Sequence, residues 1–288
     1  MFLKTALLPR RRLLTGIALA LATLGIGVPP AARALESGEV PFVVTPDNVT
    51  LEMLRLAHVG ARDYVLDLGS GDGRIVIQAA RRYGARGLGV EIVPELVQRS
   101  RVNAQAAGVA DRVEFREQDL FKTDLSAATV VTMYLMPEVN LQLRPALLAL
   151  KPGTRVVSHD WDMGDWKPDR SVSVAAPDKP VGVDKTSRLH LWVVPAKVGG
   201  LWCGKGLLQS YRLELQQQYQ HVRGTLHRRE RARAFEGQVD GTMVRSTVGA
   251  PGQLTLELQG EDLRISAAEG SLGLLTGLGF RRAAADRC

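Results

Sequence analysis

Asp67, Gly69, Gly71 and Gly73 fall at alternate positions in "YVLDLGSGDGRIVIQ", between an apolar run and a second run at helical spacing. Glycines at that spacing let the backbone pass close beneath a ligand, and the acid offers a carboxylate to a positive group. A triphosphate-binding loop needs Lys and Ser/Thr after its last glycine, whereas Arg74 and Ile75 follow Gly73 here. A dinucleotide turn needs its third glycine at the position that Arg74 holds.

Two more acids follow in order. "GLGVEI" ends a second apolar run at Glu91, and "EFREQDL" ends a third at Asp119. Three successive strands ending in acids place those acids along one rim of a sheet, where open α/β sheets bind ligands. S-adenosylmethionine (SAM) fits this set. It carries an amino-acid zwitterion, a sulfonium and a ribose, and no pyrophosphate. Asp67 is expected to meet the ammonium group, Glu91 both ribose hydroxyls, and Asp119 the adenine amine. Gly69, Ser70, Gly71 and Gly73 form the turn under the ligand, and Ile92 and Leu120 supply apolar contact to the adenine.

The elements that must hold these residues are legible as alternation. Strands are predicted at Tyr64–Leu68, Gly87–Glu91, Arg112–Arg116, Val130–Tyr134, Arg155–His159 and Leu189–Val194. Helices are predicted at Arg74–Tyr83, Pro94–Ala107 and Pro137–Leu150. "TPDNVTLEMLRLAHVG" reads as a leading helix ending near Gly60. Strand–helix alternation implies a mostly parallel α/β sheet with helices on both faces. After Pro195 the texture changes to short alternating runs with glycine turns. Tyr211, Leu213 and Leu215, then Leu254, Leu256 and Leu258, repeat at period two, which predicts a small all-β module, a barrel or sandwich. The module either packs against the first domain or binds a ligand. Residues from Ser271 onward show no clear pattern. The expected domains are a leader at 1–34, a SAM-dependent domain at 35–196 and the β module at 197–288.

"VLDLGSGDGRIVIQAA", "GLGVEIVPELVQRSR", "QDLFKTDLS" and "VVTMYLMPEVN" resemble class I SAM-dependent methyltransferases. More narrowly, they are similar to the family that includes mitochondrial protein-lysine methyltransferases and many bacterial proteins. The resemblance covers about Val40 to Pro195 and implies a Rossmann-like, mostly parallel seven-stranded α/β sheet, with SAM contacts at Asp67, Gly69, Gly71, Glu91 and Asp119. It also puts Tyr134, Leu135 and Pro137 beside the transferred methyl, their carbonyls orienting an amine. The expected reaction is methyl transfer to an amine of a protein lysine or a small molecule. "SHDWDMGDW" follows the fifth strand, and His159, Asp160 and Trp161 there form either a wall or an amine-attracting patch. For His159 and Trp161 the alternative is packing under the loop, and for Asp162 and Asp165 a solvated turn. Tyr134 and Asp160 are the candidate catalytic residues.

The net charge of +7 does not surround this site. Residues 35–196 hold 19 basic and 21 acidic side chains, and the excess lies in the first 34 residues and the tail. A nucleic-acid partner is not expected on that balance. No His/Cys group has zinc spacing, so no metal is expected. Cys203 and Cys288 are too few for a disulfide framework, and spacing leaves their pairing open. "LLPRRRLLTGIALALATLGIGVPPAARALE" has a basic region, an apolar region and a small-residue end, with an Arg10-Arg11 pair resembling a twin-arginine signal. Export of a folded chain to the periplasm is expected, without a stable membrane span once the leader is cleaved. An uncleaved anchor, or a cytoplasmic chain whose start is called too early, are the alternatives. Because SAM is made in the cytoplasm, a second reading is an exported SAM- or nucleoside-binding scaffold whose β module binds an envelope ligand.

Overall fold

The computed structural model describes residues 42–180, 184–248, 253–284 and 287–288, and the expected leader lies outside them. From Val43 on, the chain forms one compact unit. It opens with helix α1 (Asp47–Leu56), then alternates: β1 (Tyr64–Leu68), α2 (Arg74–Tyr83), β2 (Arg86–Glu91), α3 (Pro94–Ala106), β3 (Val113–Glu117), β4 (Val130–Met133), α4 (Pro137–Leu147) and β5 (Arg155–His159). Strands β6 (Arg170–Ala175) and β7 (Thr186–Val193) complete a seven-stranded sheet of order β3-β2-β1-β4-β5-β7-β6. The first five strands pair in parallel, and β7 runs antiparallel to β5 and to β6.

Successive strand residues point to opposite faces, and the central strands are apolar at both. Val65 and Val130 pack into a cluster with α1 and α2, while Leu66, Leu68, Val131 and Met133 pack with α4. This two-sided burial explains why the runs read as continuous rather than alternating. Pro94 and Pro137 each open their helix, where the missing N–H costs nothing. Helix α1 ends at Leu56 rather than near Gly60, because His58 turns to φ +49°.

The second part is a closed antiparallel barrel. Its strands are β8 (Gly200–Gly204), β9 (Tyr211–Gln218), β10 (His221–Arg228), β11 (Arg231–Asp240), β12 (Met243–Val248), β13 (Leu254–Gln259), β14 (Asp262–Ala268) and β15 (Gly279–Arg282). β15 pairs with both β14 and β8 and so leaves no free edge. Trp202, Leu213, Leu215, Phe235, Leu256 and Phe280 fill the interior. The cavity left beneath Tyr211 and Phe280 is about 10 Å³, room for one water at most.

The barrel meets the sheet domain through the β9–β10 turn. Tyr219 donates to Asp165 Oδ2 at 2.9 Å and stacks on Trp166, and Gln220 Nε2 donates to the Lys167 carbonyl at 2.7 Å. Residues 160–169, between β5 and β6, are therefore braced from outside.

Cys203 and Cys288 form a disulfide across a separation of 85 residues. In the chain-entropy account, closing a loop of this size contributes about 4–5 kcal/mol. Cys203→Ser is expected to lower the thermal midpoint, and reduction of the unaltered chain should do the same. A midpoint unmoved by reductant would show that the thiols are unpaired.

Candidate active site

The glycine turn is fastened to the neighbouring strand before it reaches α2. The amides of Gly69 and Ser70 both donate to the Val90 carbonyl, at 3.0 and 2.9 Å, and the Gly73 amide closes onto the Ser70 carbonyl at 2.9 Å. Gly73 caps α2 with φ +81°, and a Cβ there would lie 2.6 Å from Ser100 Cβ and 2.7 Å from the Phe115 ring. Only glycine meets both demands, left-handed backbone and no side chain. Ser70 is buried with its side chain over Gly89, where an added Cβ would lie 2.6 Å from Oγ. The hydroxyl has no hydrogen-bond partner.

The three acids have different surroundings. Asp67 is 2% exposed and accepts a 2.6 Å hydrogen bond from Thr132 Oγ1. Burial above all, with the nearby Glu91 and Asp72 carboxylates, pushes its carboxyl up to about 7. A buried carboxylate held by a single hydroxyl lacks a cation. Glu91 accepts the Gly71 amide on Oε2 at 2.9 Å and the Ile92 and Val93 amides on Oε1 at 2.9 and 3.1 Å. It thereby ties the first turn to the second and stands with a fixed orientation. Asp119 accepts the Phe121 amide at 2.9 Å, its backbone carbonyl takes the Thr123 hydroxyl, and it opens the short 3₁₀ turn carrying Leu120. Ile92 is 67% exposed beside Glu91, while Leu120 packs half-buried against the core.

Arg74, which excludes a dinucleotide fingerprint, has a role of its own here. Its guanidinium pairs with both oxygens of Asp72, at 2.9 and 2.6 Å, and donates to the Thr45 carbonyl at 2.8 Å. The segment ahead of α1 is thus pinned to the glycine turn. Thr45 Oγ1 lies 3.3 Å from His159 Nδ1, so the same segment also reaches the end of β5.

The residues expected on the acceptor side come together. A Cβ on Gly69 would lie 2.9 Å from Leu135 Cδ2, so the segment after β4 abuts the turn directly. The Tyr134 ring stacks on His159 at 3.9 Å, and its hydroxyl donates to Asp160 Oδ2 at 3.2 Å. Burial and the Asp160 carboxylate push the Tyr134 phenol up, so it stays protonated and serves as a donor rather than a base. His159 is fully buried, 2.8 Å from Ser187 Oγ through Nε2, and burial drops it to about 4. The imidazole is neutral near pH 7 and packs under the loop instead of forming a wall.

Asp160 holds a left-handed backbone, φ +63°, which a non-glycine residue keeps only when its surroundings enforce it. Its amide donates to the Arg188 carbonyl and its Oδ1 accepts the Arg188 amide at 3.0 Å. Oδ2 pairs with Lys179 Nζ at 2.8 Å. Burial would raise this carboxyl, but the bonds from Lys179 and the Arg188 amide hold it below the usual range. Trp161 is 44% exposed, with its carbonyl held by Ser158 and Asn140. Asp162 caps the Gly164 amide in a turn, as expected, whereas Asp165 ties Arg144 to Tyr219.

Thr132, Asn140, Thr45 and Lys179 are the participants that sequence reading passes over. Asn140 stands inside the quoted "YLMPEVN", one polar residue on the buried side of a helix, and that burial is the signal that marks it. Among the described residues no group of three or more His, Cys, Asp or Glu is arranged to hold a metal ion. No described helix is long and apolar enough to cross a membrane.

Comparison with known proteins places the chain among methyl-transferring relatives. The family profile of the ANTKMT methyltransferase domain matches residues 67–170. A protein-lysine N-methyltransferase of Saccharolobus islandicus is 44% identical over 137 residues, 47% of this chain and 85% of that protein. An adenine nucleotide translocase lysine N-methyltransferase of Mus musculus is 37% identical over 132 residues, 45% of this chain and 57% of that protein. Among solved structures, an RNA methyltransferase of Salinibacter ruber in complex with S-adenosyl-L-homocysteine has a TM-score of 0.50 and 54% identity. It covers 54% of this chain and 96% of that one. The barrel lies outside the matched family domain.

Proposed function

Since the chain belongs to the class I SAM-dependent methyltransferases, in the family of the protein-lysine N-methyltransferases, we propose that it transfers a methyl group from SAM to a lysine amine of a protein. SAM is the methyl donor, and the residues present fit it. Asp67 offers a buried carboxylate without a cation to the ligand's ammonium. Glu91 is fixed by three amides where a ribose is expected, and Asp119 and Leu120 stand at the adenine end. When bound, SAM supplies a methyl already attached to a good leaving group.

The protein's work is then alignment and exclusion of water. Most of the acceleration available to such a site comes from holding nucleophile and methyl in line. Tyr134 and Asp160, clasped to β7, form one face of the acceptor space, and Leu135 connects them to the glycine turn. An incoming lysine reaches Asp160 by exchanging with Lys179 there, and the step takes its amine in the neutral form, one proton going to water. With its phenol up and its imidazole neutral, the Tyr134–His159 stack orients rather than titrates.

One observation carries the choice of a lysine: the Asp160 carboxylate beside Tyr134 already accepts a primary ammonium, at 2.8 Å. The Salinibacter relative is the ground for a second reading, RNA, because its identity to this chain is 54%. Against it stands the charge of residues 35–196, 19 basic and 21 acidic, where an RNA track calls for a basic surface. The disulfide supports an oxidising compartment, in keeping with export.

Incubation of the full chain with methyl-labelled SAM and a lysate, followed by hydrolysis, tests the acceptor. Label is expected in methylated lysine of the protein fraction. Label confined to RNA would replace this reading with the second.

A further inference from the structure

We propose that the chain is also its own substrate, and that Lys179, in the turn between β6 and β7, is the residue methylated. This rests on the lysine-methyltransferase reading. Lys179 Nζ lies 2.8 Å from Asp160 Oδ2 and donates to the Thr186 carbonyl at 2.9 Å. Asp160 is in turn 3.2 Å from the Tyr134 hydroxyl, and Tyr134 is followed by Leu135, which abuts Gly69 of the SAM turn. A lysine amine of the chain therefore already sits on the pair, Tyr134 and Asp160, that we place on the acceptor side. The Lys179 amide bonds to the Ala176 carbonyl, and Lys185 Nζ donates to the Lys179 carbonyl at 2.8 Å.

Position distinguishes this lysine from the others. The Lys179 side chain is 11% exposed, whereas that of Lys122 is 82% exposed. Adventitious modification from solvent favours Lys122, so selective labelling of Lys179 would have to come from the site. The step takes the Lys179 amine in its neutral form, one proton going to water. Its nitrogen then bonds to the methyl carbon, the carbon–sulfur bond breaks with its electron pair going to sulfur, and S-adenosylhomocysteine leaves. The flexible aliphatic stem of lysine allows Nζ to pivot between Asp160 and the methyl. The methylated nitrogen remains cationic, so its pairing with Asp160 survives.

The full chain is incubated with methyl-labelled SAM and its peptides are mapped. Label is expected on Lys179, absent from Lys122, and formed at a rate per chain independent of protein concentration. Lys179→Arg should abolish the label while binding SAM with unchanged affinity, which shows the variant is folded. In the SAM-free chain an amine-acylating reagent should modify Lys179 at least tenfold more slowly than Lys122, and Asp160→Asn should remove most of that protection. Normal SAM binding without label on Lys179, label that rises with protein concentration, or equal acylation of Lys179 and Lys122 would each overturn the proposal and leave the function itself standing. Absence of SAM binding would overturn both.

Discussion

Asp67→Asn is expected to weaken SAM binding by about 100-fold or more, the usual cost of removing one partner of a buried charge pair, while the chain stays folded. Asparagine keeps the shape and can still accept the 2.6 Å bond from Thr132. It removes the charge that the ligand's ammonium requires. The same residue sets a pH dependence. The folded carboxyl titrates at about 7, above its ordinary 3.8, so between those values the empty folded chain holds a proton that the unfolded chain has released. Asp67's contribution to the stability of the empty chain therefore falls as pH rises from about 4 to about 7 and levels off above, while the buried His159, lowered to about 4, contributes in the opposite sense. SAM selects the ionised form, so its affinity should climb with pH up to about 7 and then flatten, with proton release on binding. In Asp67→Asn the rise in affinity disappears, the parent's stability relative to the variant falls between about pH 4 and 7, and at pH 8 the variant should be no less stable than the parent. Calorimetric titration in buffers of different ionisation enthalpy reads affinity and proton release together. An affinity within threefold of the parent's would remove Asp67 from the ammonium site.

Trp166→Ala is expected to cost about 3–5 kcal/mol of stability, the range for emptying a buried aromatic site. Trp166 is fully buried, its carbonyl accepts Trp192 Nε1 at 2.9 Å, and its ring stacks on Tyr219 of the barrel. It anchors the loop that starts at Asp160. The functional loss should accordingly fall on the acceptor side: turnover with a protein acceptor drops while SAM affinity holds, because the glycine turn rests on β2 and α2 instead. Denaturant unfolding together with SAM calorimetry checks both halves. A loss below about 1 kcal/mol would show that the loop does not depend on this residue.

The parts of the fold legible in the sequence are those where local pattern and burial agree. β1, β2, β4 and β5 are apolar on both faces, and their helices open at prolines or end near glycines, so they could be read in one dimension. β6 could not. "RSVSVA" is an exposed edge strand, and its alternating serines give no apolar run. β15 was equally hidden, being four residues long and recognisable only because it closes the barrel between β14 and β8. The positions of the three acids were legible because they stand at or just after strand ends in sequential order. The cluster around the ends of β4 and β5 was legible only in half. Tyr134 and Asp160 could be named, but their partners are contributed by distant positions. Lys179 lies in the next connection, and the brace on Trp166 comes from Tyr219, in a barrel whose sequence carries no sign of that contact. Arg74 marked which ligand the turn does not take. Its bond to the Thr45 carbonyl, which holds the leading segment in place, is a tertiary fact.

Titration of the full chain with SAM, S-adenosylhomocysteine and NAD in one calorimetric series tests most directly the claim that the turn from Asp67 to Gly73, with Glu91 and Asp119, is a SAM cradle. Saturable binding of SAM and S-adenosylhomocysteine, weakened in Asp67→Asn by about 100-fold or more for both, and no measurable NAD binding is the predicted result. NAD binding tighter than SAM, or no SAM binding at all, would contradict it.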